Sequence, residues 1–102
     1  MNVKNVITLR EVADDLQDGK VFYERRETGV GDYFWDSLIS DIESLYIHAG
    51  IHSKNFGLHR MLSKRFPYAI YYQIENKIAQ VVAVLPIRRD PARIKRILKG
   101  RS

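Results

Sequence analysis

The chain has 102 residues, 45% of them hydrophobic and 28% charged, with a formal net charge of +5 and no cysteine. That length suits one domain, able to bury roughly 60 to 70% of its unfolded surface in a single core without covalent staples. The composition excludes a disordered chain, disulfides, thiolate metal sites and cysteine nucleophiles.

The opening residues, MNVKNVITLREVADD, hold no signal-peptide core, and the longest largely apolar run, from Ile78 to Ile87, is about half a membrane span. The expectation is a cytoplasmic protein with no membrane partner. Charge is unevenly placed: residues 1–50 carry 5 Lys/Arg against 10 Asp/Glu, and residues 51–102 carry 12 against 2. The basic half suits phosphates or an acidic protein segment, with an attraction that weakens as salt rises. The plainer alternative is a solvated surface rich in lysine and arginine.

In chain order, Val3 to Ile7 is a short apolar stretch that suits an edge strand. Thr8-Leu9-Arg10-Glu11 matches a capping box and predicts a helix start. Leu9, Val12, Ala13, Leu16 and Tyr23 then follow helical spacing, with Glu11, Asp14, Asp15 and Asp18 outside the stripe, in a helix spanning Leu9 to Arg26. Gly19 costs such a helix about 1 kcal/mol relative to alanine, so a kink or a close helix contact is expected there. Thr28-Gly29-Val30-Gly31 breaks the chain and reads as a helix link rather than a phosphate cradle, because no lysine follows it in a nucleotide motif. Trp35, Leu38, Ile39, Ile42, Leu45, Tyr46 and Ala49 mark a second helix, Tyr33 to Ala49, ending near Gly50. Phe34, Trp35 and Tyr46 read as core, and Ile51 to Gly57 reads as a loop.

From Arg60 to Pro91, runs of Val, Ile and Tyr broken by polar pairs predict strands joined by tight turns. With Asn76-Lys77 as a turn, Glu75 faces Ile78, Gln73 faces Gln80, Tyr72 faces Val81, Tyr71 faces Val82 and Ile70 faces Ala83. Alternation puts Tyr68, Ile70, Tyr72, Ile74, Val81, Ala83 and Leu85 toward a core. It puts Gln73, Gln80, Tyr71, Val82 and Val84 on an open face. A Lys64-Arg65 turn sets Met61 opposite Tyr68 and Arg60 opposite Ala69, which brings Arg60 and Arg88 to the Tyr71 side. Asp90-Pro91 reads as an N-cap and first helical position, and Ile94, Ile97 and Leu98 line one side of a short helix before Gly100. The fold class expected is α+β, one domain over residues 1–102: an N-terminal strand, a two-helix hairpin, a three-stranded antiparallel meander and a C-terminal helix. Trp35, Leu38, Ile42, Ile70, Tyr72 and Val81 should be buried. His48, His52 and His59 lack the carboxylate of an HExxH-like motif, and neither metal nor cofactor is expected.

The element order, with KRFPYAIYY, VLPIRRDP, Phe22-Tyr23-Glu24-Arg25-Arg26 and Gly29-Val30-Gly31-Asp32-Tyr33-Phe34, resembles the RelE/ParE superfamily of toxins from bacterial type II toxin–antitoxin modules, in particular its ParE-like, plasmid-stabilisation members. The resemblance implies a cognate antitoxin in a hetero-oligomeric complex, and either of two targets. ParE-like members inhibit DNA gyrase, whereas RelE-like members cut ribosome-bound mRNA. Relatives often carry a polar residue or histidine shortly before the paired arginines; here those positions are Pro86 and Ile87. RNA cleavage needs a base, an acid and cations. After Arg89 there is no Tyr, His or Glu, so a nuclease would have to draw on Arg60, Tyr71 and Arg88, and a phenol of pKa about 10 is a poor base. The reading favoured is a gyrase inhibitor without intrinsic catalysis, with Arg60, Lys64, Arg65, Arg88, Arg89, Arg93, Lys95 and Arg96 as contact residues. The alternatives are the mRNA endonuclease and a non-toxic binding module of the same fold. The antitoxin segment should be acidic and apolar, and should lie across the open sheet face or along its edge.

Overall fold

A computed structural model describes residues 2–101, so the two end positions of the expected domain lie outside the described residues. The order is β1 (Asn5–Thr8), α1 (Glu11–Glu24), α2 (Val30–Glu43), α3 (Leu45–His48), β2 (Lys54–Asn55), β3 (Leu58–Leu62), β4 (Tyr68–Glu75), β5 (Ile78–Pro86) and α4 (Pro91–Arg101). The strands form one mixed sheet in the order β1-β5-β4-β3-β2, with β1 parallel to β5 and the other pairs antiparallel. The α+β class, the helical hairpin, the meander and the C-terminal helix are as expected. The loop expected at Ile51 to Gly57 contributes the two-residue β2.

The capping box does not form. Thr8 ends β1 opposite Val81, and tight turns from Val12 to the Leu9 carbonyl (3.0 Å) and from Ala13 to that of Arg10 (3.3 Å) satisfy the first N–H groups of α1 instead. Gly19 marks a close helix contact, as its cost implied: a Cβ there would lie 2.3 Å from the tip of Phe34. At the hairpin link, Gly29 has φ +93°, and both its N–H and that of Gly31 donate to the Glu24 carboxylate at about 3 Å. An acidic side chain from one helix thus caps the next, where the helix dipole favours negative charge. The second helix is not continuous to Ala49. Ser44 Oγ donates to the Asp41 carbonyl at 2.6 Å, a local side-chain bond that competes with the helix ladder, and α3 begins after the break.

Asn76 and Lys77 form the turn at φ +52° and +62°, and the register from Glu75↔Ile78 through Tyr72↔Val81 is as predicted. Gln73 and Gln80 meet, with their amides 2.8 Å apart. Beyond Tyr72 the expectation fails, because a bulge leaves Val82 without a partner and pairs Tyr71 with Ala83 and Ile70 with Val84. Val84 therefore joins the hairpin-side core, while Ala83 and Leu85 turn to the other face. The β3–β4 loop spans residues 63–67 rather than a two-residue Lys64-Arg65 turn, which moves the register by two and pairs Arg60 with Tyr71 and Met61 with Ile70, keeping the face of Arg60 as expected.

The face expected to be open is covered. Ile94 and Leu98 of α4 pack on Tyr71, Val82, Ala83 and Leu85, leaving Tyr71 only 1% exposed. On the opposite face, Val12, Leu16, Phe34, Leu38, Ile42 and Leu45 pack on Ile70, Tyr72, Val81 and Val84. Trp35 is half-buried rather than buried, and Tyr46 is 42% exposed, its hydroxyl donating to Asn5 Oδ1 at 3.0 Å.

The expected helix stop at Gly100 is overrun for a reason. Arg101 sits in a bidentate ion pair with Asp15 of α1, at 2.6 and 2.8 Å, with the two side chains 17% and 7% exposed. The same Asp15 accepts from Val84 N–H (3.0 Å), and Arg101 donates to the Val82 carbonyl (3.2 Å). The carboxylate holds the Arg101 guanidinium pKa above its usual value. Breaking one side of such a buried pair should cost about 3–5 kcal/mol. Asp15→Ala is therefore expected to lose about that much in urea unfolding, and a loss within about 1 kcal/mol would mean that the pair is no more than a surface contact.

Candidate functional site

The paired arginines follow β5 directly. Pro86 ends the strand, Ile87 N–H donates to the Pro67 carbonyl (2.9 Å), and Arg89 N–H closes a turn onto Pro86 (3.2 Å). The neighbouring β3–β4 loop is held at both ends. Ser63 Oγ and Lys64 N–H donate to the buried Asp41 carboxylate at 2.6 and 3.3 Å. At the other end Phe66 sits against Tyr23, Phe34 and Tyr33, with ring centroids 4.8, 5.1 and 5.4 Å apart.

These two anchored segments face the last turns of α1 across a groove of about 620 Å³, lined by Asp18, Phe22, Tyr23, Arg26, Pro67, Tyr68, Pro86, Arg88 and Arg89. Phe22 is 47% exposed, and the Arg26 guanidinium lies over its ring at 4.0 Å. The groove is basic and apolar.

Among the residues expected to make contacts, Arg88 and Arg89 line this groove. Lys64 and Arg65 are exposed on the loop that forms its rim. Arg60 lies on the α4 face, where its Nε donates to the Tyr71 hydroxyl at 3.2 Å. Arg93, Lys95 and Arg96 are exposed on α4, and Lys95 borders a separate hollow of about 300 Å³ with Phe56, Leu98 and Lys99. Arg26 and Phe22 were not among the expected contacts. Their i,i+4 spacing near a helix end, with Asp18, Gly19 and Arg25 at the other helical neighbour positions of Phe22, was the available signal.

The hypothetical catalytic set is not assembled. Arg60 and Tyr71 touch, but Tyr71 is buried under α4 and Arg88 lines the groove instead. The phenols that do border the groove are poor bases. Burial pushes Tyr68 above the usual tyrosine pKa, more than the nearby Arg89 draws it down, and burial likewise raises Tyr23 against Arg26. The groove presents arginines, the Asp18 carboxylate and apolar surface.

No protein-family model matches the sequence, and no curated protein matches it. Among solved structures, a chain of the chromosomal ParDE TA system from P. aeruginosa superposes with a TM-score of 0.73 and 16% identity, over 80% of this chain and 94% of that one. The ParDE chain and this one share a fold. At that identity the likeness is one of fold, and a fold by itself does not carry a function. Among the described residues, no helix is long and apolar enough to cross a membrane.

His52 and His59 belong to a cluster around Tyr72, away from the groove. Tyr72 hydroxyl bonds His52 Nδ1 and accepts from Gly50 N–H (2.9 Å), His59 stacks on the Tyr72 ring at 5.0 Å, and His59 Nδ1 bonds the His52 carbonyl at 2.7 Å. Among the described residues no group of three His, Asp or Glu side chains is placed to hold a metal. Burial, and then His59 and His48, lower the His52 pKa below its ordinary 6.5. A depressed pKa means that the folded state holds the proton less tightly than the unfolded one, so this contribution is present above pH 6.5 and is lost as pH falls toward the folded value. Urea midpoints should drop between pH 7.5 and 5.5, and His52→Gln should flatten that drop; an unchanged slope would show that His52 is not the group responsible.

Proposed function

We propose that this chain is the toxin of a bacterial type II toxin–antitoxin module, acting as one domain in the cytoplasm as a ParE-like inhibitor of DNA gyrase. A cognate antitoxin would neutralise it in a hetero-oligomeric complex, in the manner of plasmid-stabilisation modules. The observation that carries this reading is the pairing of a ParDE-system fold with a groove in which Arg26, Arg88 and Arg89 meet an apolar wall. Inhibition by binding needs only the cations and the apolar wall. Ribosome-dependent RNA cleavage needs in addition a group to take the 2′-hydroxyl proton, and the one tyrosine left for that role is enclosed by α4.

On this reading the contact residues are Arg88 and Arg89 in the groove, with Lys64, Arg65, Arg93, Lys95 and Arg96 adding to the positive field around it. Arg60, whose Nε donates to the Tyr71 hydroxyl, adds to the charge. Single removals of groove charge should weaken toxicity by steps, each on the order of tenfold or less, because binding energy is shared among several contacts. Loss of a catalytic group would instead cost on the order of 10² to 10⁴ in rate.

The test expresses the chain under tight control and compares gyrase-dependent DNA breaks with codon-phased cuts in ribosome-bound message. DNA breaks, graded loss in Arg88→Ala and Arg89→Ala, and little change in Tyr71→Phe are expected. Phased cuts without breaks, abolished by a single Arg60 or Tyr71 substitution, would establish the endonuclease. Normal growth under full expression, with or without the adjacent reading frame, would favour a non-toxic binding module.

A further inference from the structure

The hairpin joining β2 to β3 turns through Asn55-Phe56-Gly57-Leu58, with Phe56 at φ +58° and Gly57 at φ +82°. Glycine adopts that backbone freely and asparagine readily, whereas the Cβ of a bulky residue crowds the neighbouring carbonyl there. Among the described non-glycine residues at positive φ, which are Phe56, Asn76 and Lys77, it is the one aromatic. The strain gains nothing for the core, because Phe56 is 47% exposed and belongs to neither hydrophobic cluster. A strained turn that displays an apolar ring to solvent points to a ligand for that ring.

The surroundings of the ring define the ligand. Phe56 shares a hollow of about 300 Å³ with Lys95, Leu98 and Lys99 of α4. The two lysines stand one helical turn apart on the same flank of the helix, close enough for one phosphate group to reach both ammonium groups. The ion pairs among the described residues, Lys20–Asp32 and Arg101–Asp15, leave both lysines out, and no described acidic side chain lines the hollow. The ring stacks and cation–π contacts among the described residues do not include Phe56, so no protein ring or cation covers its face. Inorganic phosphate would satisfy the lysines and leave the ring bare, and so would the carboxylates of a peptide. A nucleotide answers both, since a base stacks on an aromatic side chain while its phosphate meets the cations.

We infer that the hollow between the β2–β3 turn and α4 is a nucleotide-binding site, with the base on Phe56 and the phosphate between Lys95 and Lys99. The nucleotide is either free or one unit of a single strand, and the chemistry at the site is the same. A strand continuing across α4 would also meet Arg96, exposed at i,i+3 spacing from Lys99. The site shares no lining residue with the arginine groove and does not depend on the toxin reading.

The test is fluorescence anisotropy of the whole purified protein with labelled ATP, a labelled twelve-nucleotide oligothymidine and a labelled twelve-nucleotide oligouridine, at rising salt. Saturable binding is expected for at least one probe. Tighter binding of the oligonucleotides assigns the site to single strands, and equal or tighter binding of ATP assigns it to free nucleotides. Phe56→Asn should weaken that binding about tenfold, the loss of one base stack, while raising the urea midpoint, since asparagine accepts the turn that phenylalanine resists. Phe56→Trp should retain binding. Lys95→Ala and Lys99→Ala should each reduce the slope of log affinity against log salt, by about 0.7 for a single strand. The inference is overturned if no probe saturates, if Phe56→Asn binds as tightly as wild type, or if Arg88→Ala abolishes binding in its place. It is also overturned if a twelve-residue polyglutamate displaces the probe as well as the unlabelled probe does. A lowered urea midpoint in Phe56→Asn overturns it too, because the ring would then serve the fold.

Discussion

The edge of β5 beyond Val81 is the point on which the architecture depends. β1 is four residues long and its pairing stops at Thr8↔Val81, yet β5 continues to Pro86 between two hydrophobic layers. There the Val82 carbonyl and the Val84 N–H would be buried without partners, each at a cost of about 1–3 kcal/mol. Asp15 takes the N–H, Arg101 takes the carbonyl, and the two side chains neutralise each other. One ion pair thereby ties α1, β5 and α4 at the residue where the sheet bulges. Its position sets how α1 lies along the sheet, and hence where the last turns of that helix, with Phe22 and Arg26, stand relative to Pro86 and the paired arginines.

Much of this was legible locally. The Asn76-Lys77 turn and the meeting of Gln73 with Gln80 follow from period-two counting, and the Gly19 contact follows from a glycine inside an otherwise regular helix. The bulge had no such signal. Around it the chain reads Tyr71-Tyr72 and Val81-Val82-Ala83-Val84-Leu85, all apolar, so shifting the register by one residue changes no polar residue's face. That same lack of alternation was a signal of a different kind, since a strand without polar alternation is one covered on both sides. It pointed to α4 filling the face that counting left open. Asp15 and Arg101 are 86 positions apart, and only the tertiary fold brings them together. Thr8 satisfied the capping pattern but was already committed to the sheet, and a ladder position there outweighs a cap.

For the site, the sequence placed the cations and misjudged the surface that holds them. Arg88 and Arg89 were identifiable as a pair, but the wall facing them comes from residues 18–26 and 67–68, which no local pattern links. The acidic and basic halves of the chain are not separate ends in space: Asp18 and Arg26 of the acidic half border the groove formed with Arg88 and Arg89 of the basic half. Burial raises the phenols at the groove above the usual tyrosine pKa, and the remaining tyrosine on the strand is enclosed between sheet and helix.

Purified DNA gyrase tests the central claim most directly. With relaxed plasmid and ATP, micromolar wild-type protein should abolish supercoiling, Arg88→Ala combined with Arg89→Ala should restore most of it, and Tyr71→Phe should inhibit like wild type. Unimpaired supercoiling at the highest soluble concentration of a protein that still arrests growth would contradict the account and direct attention to the ribosome.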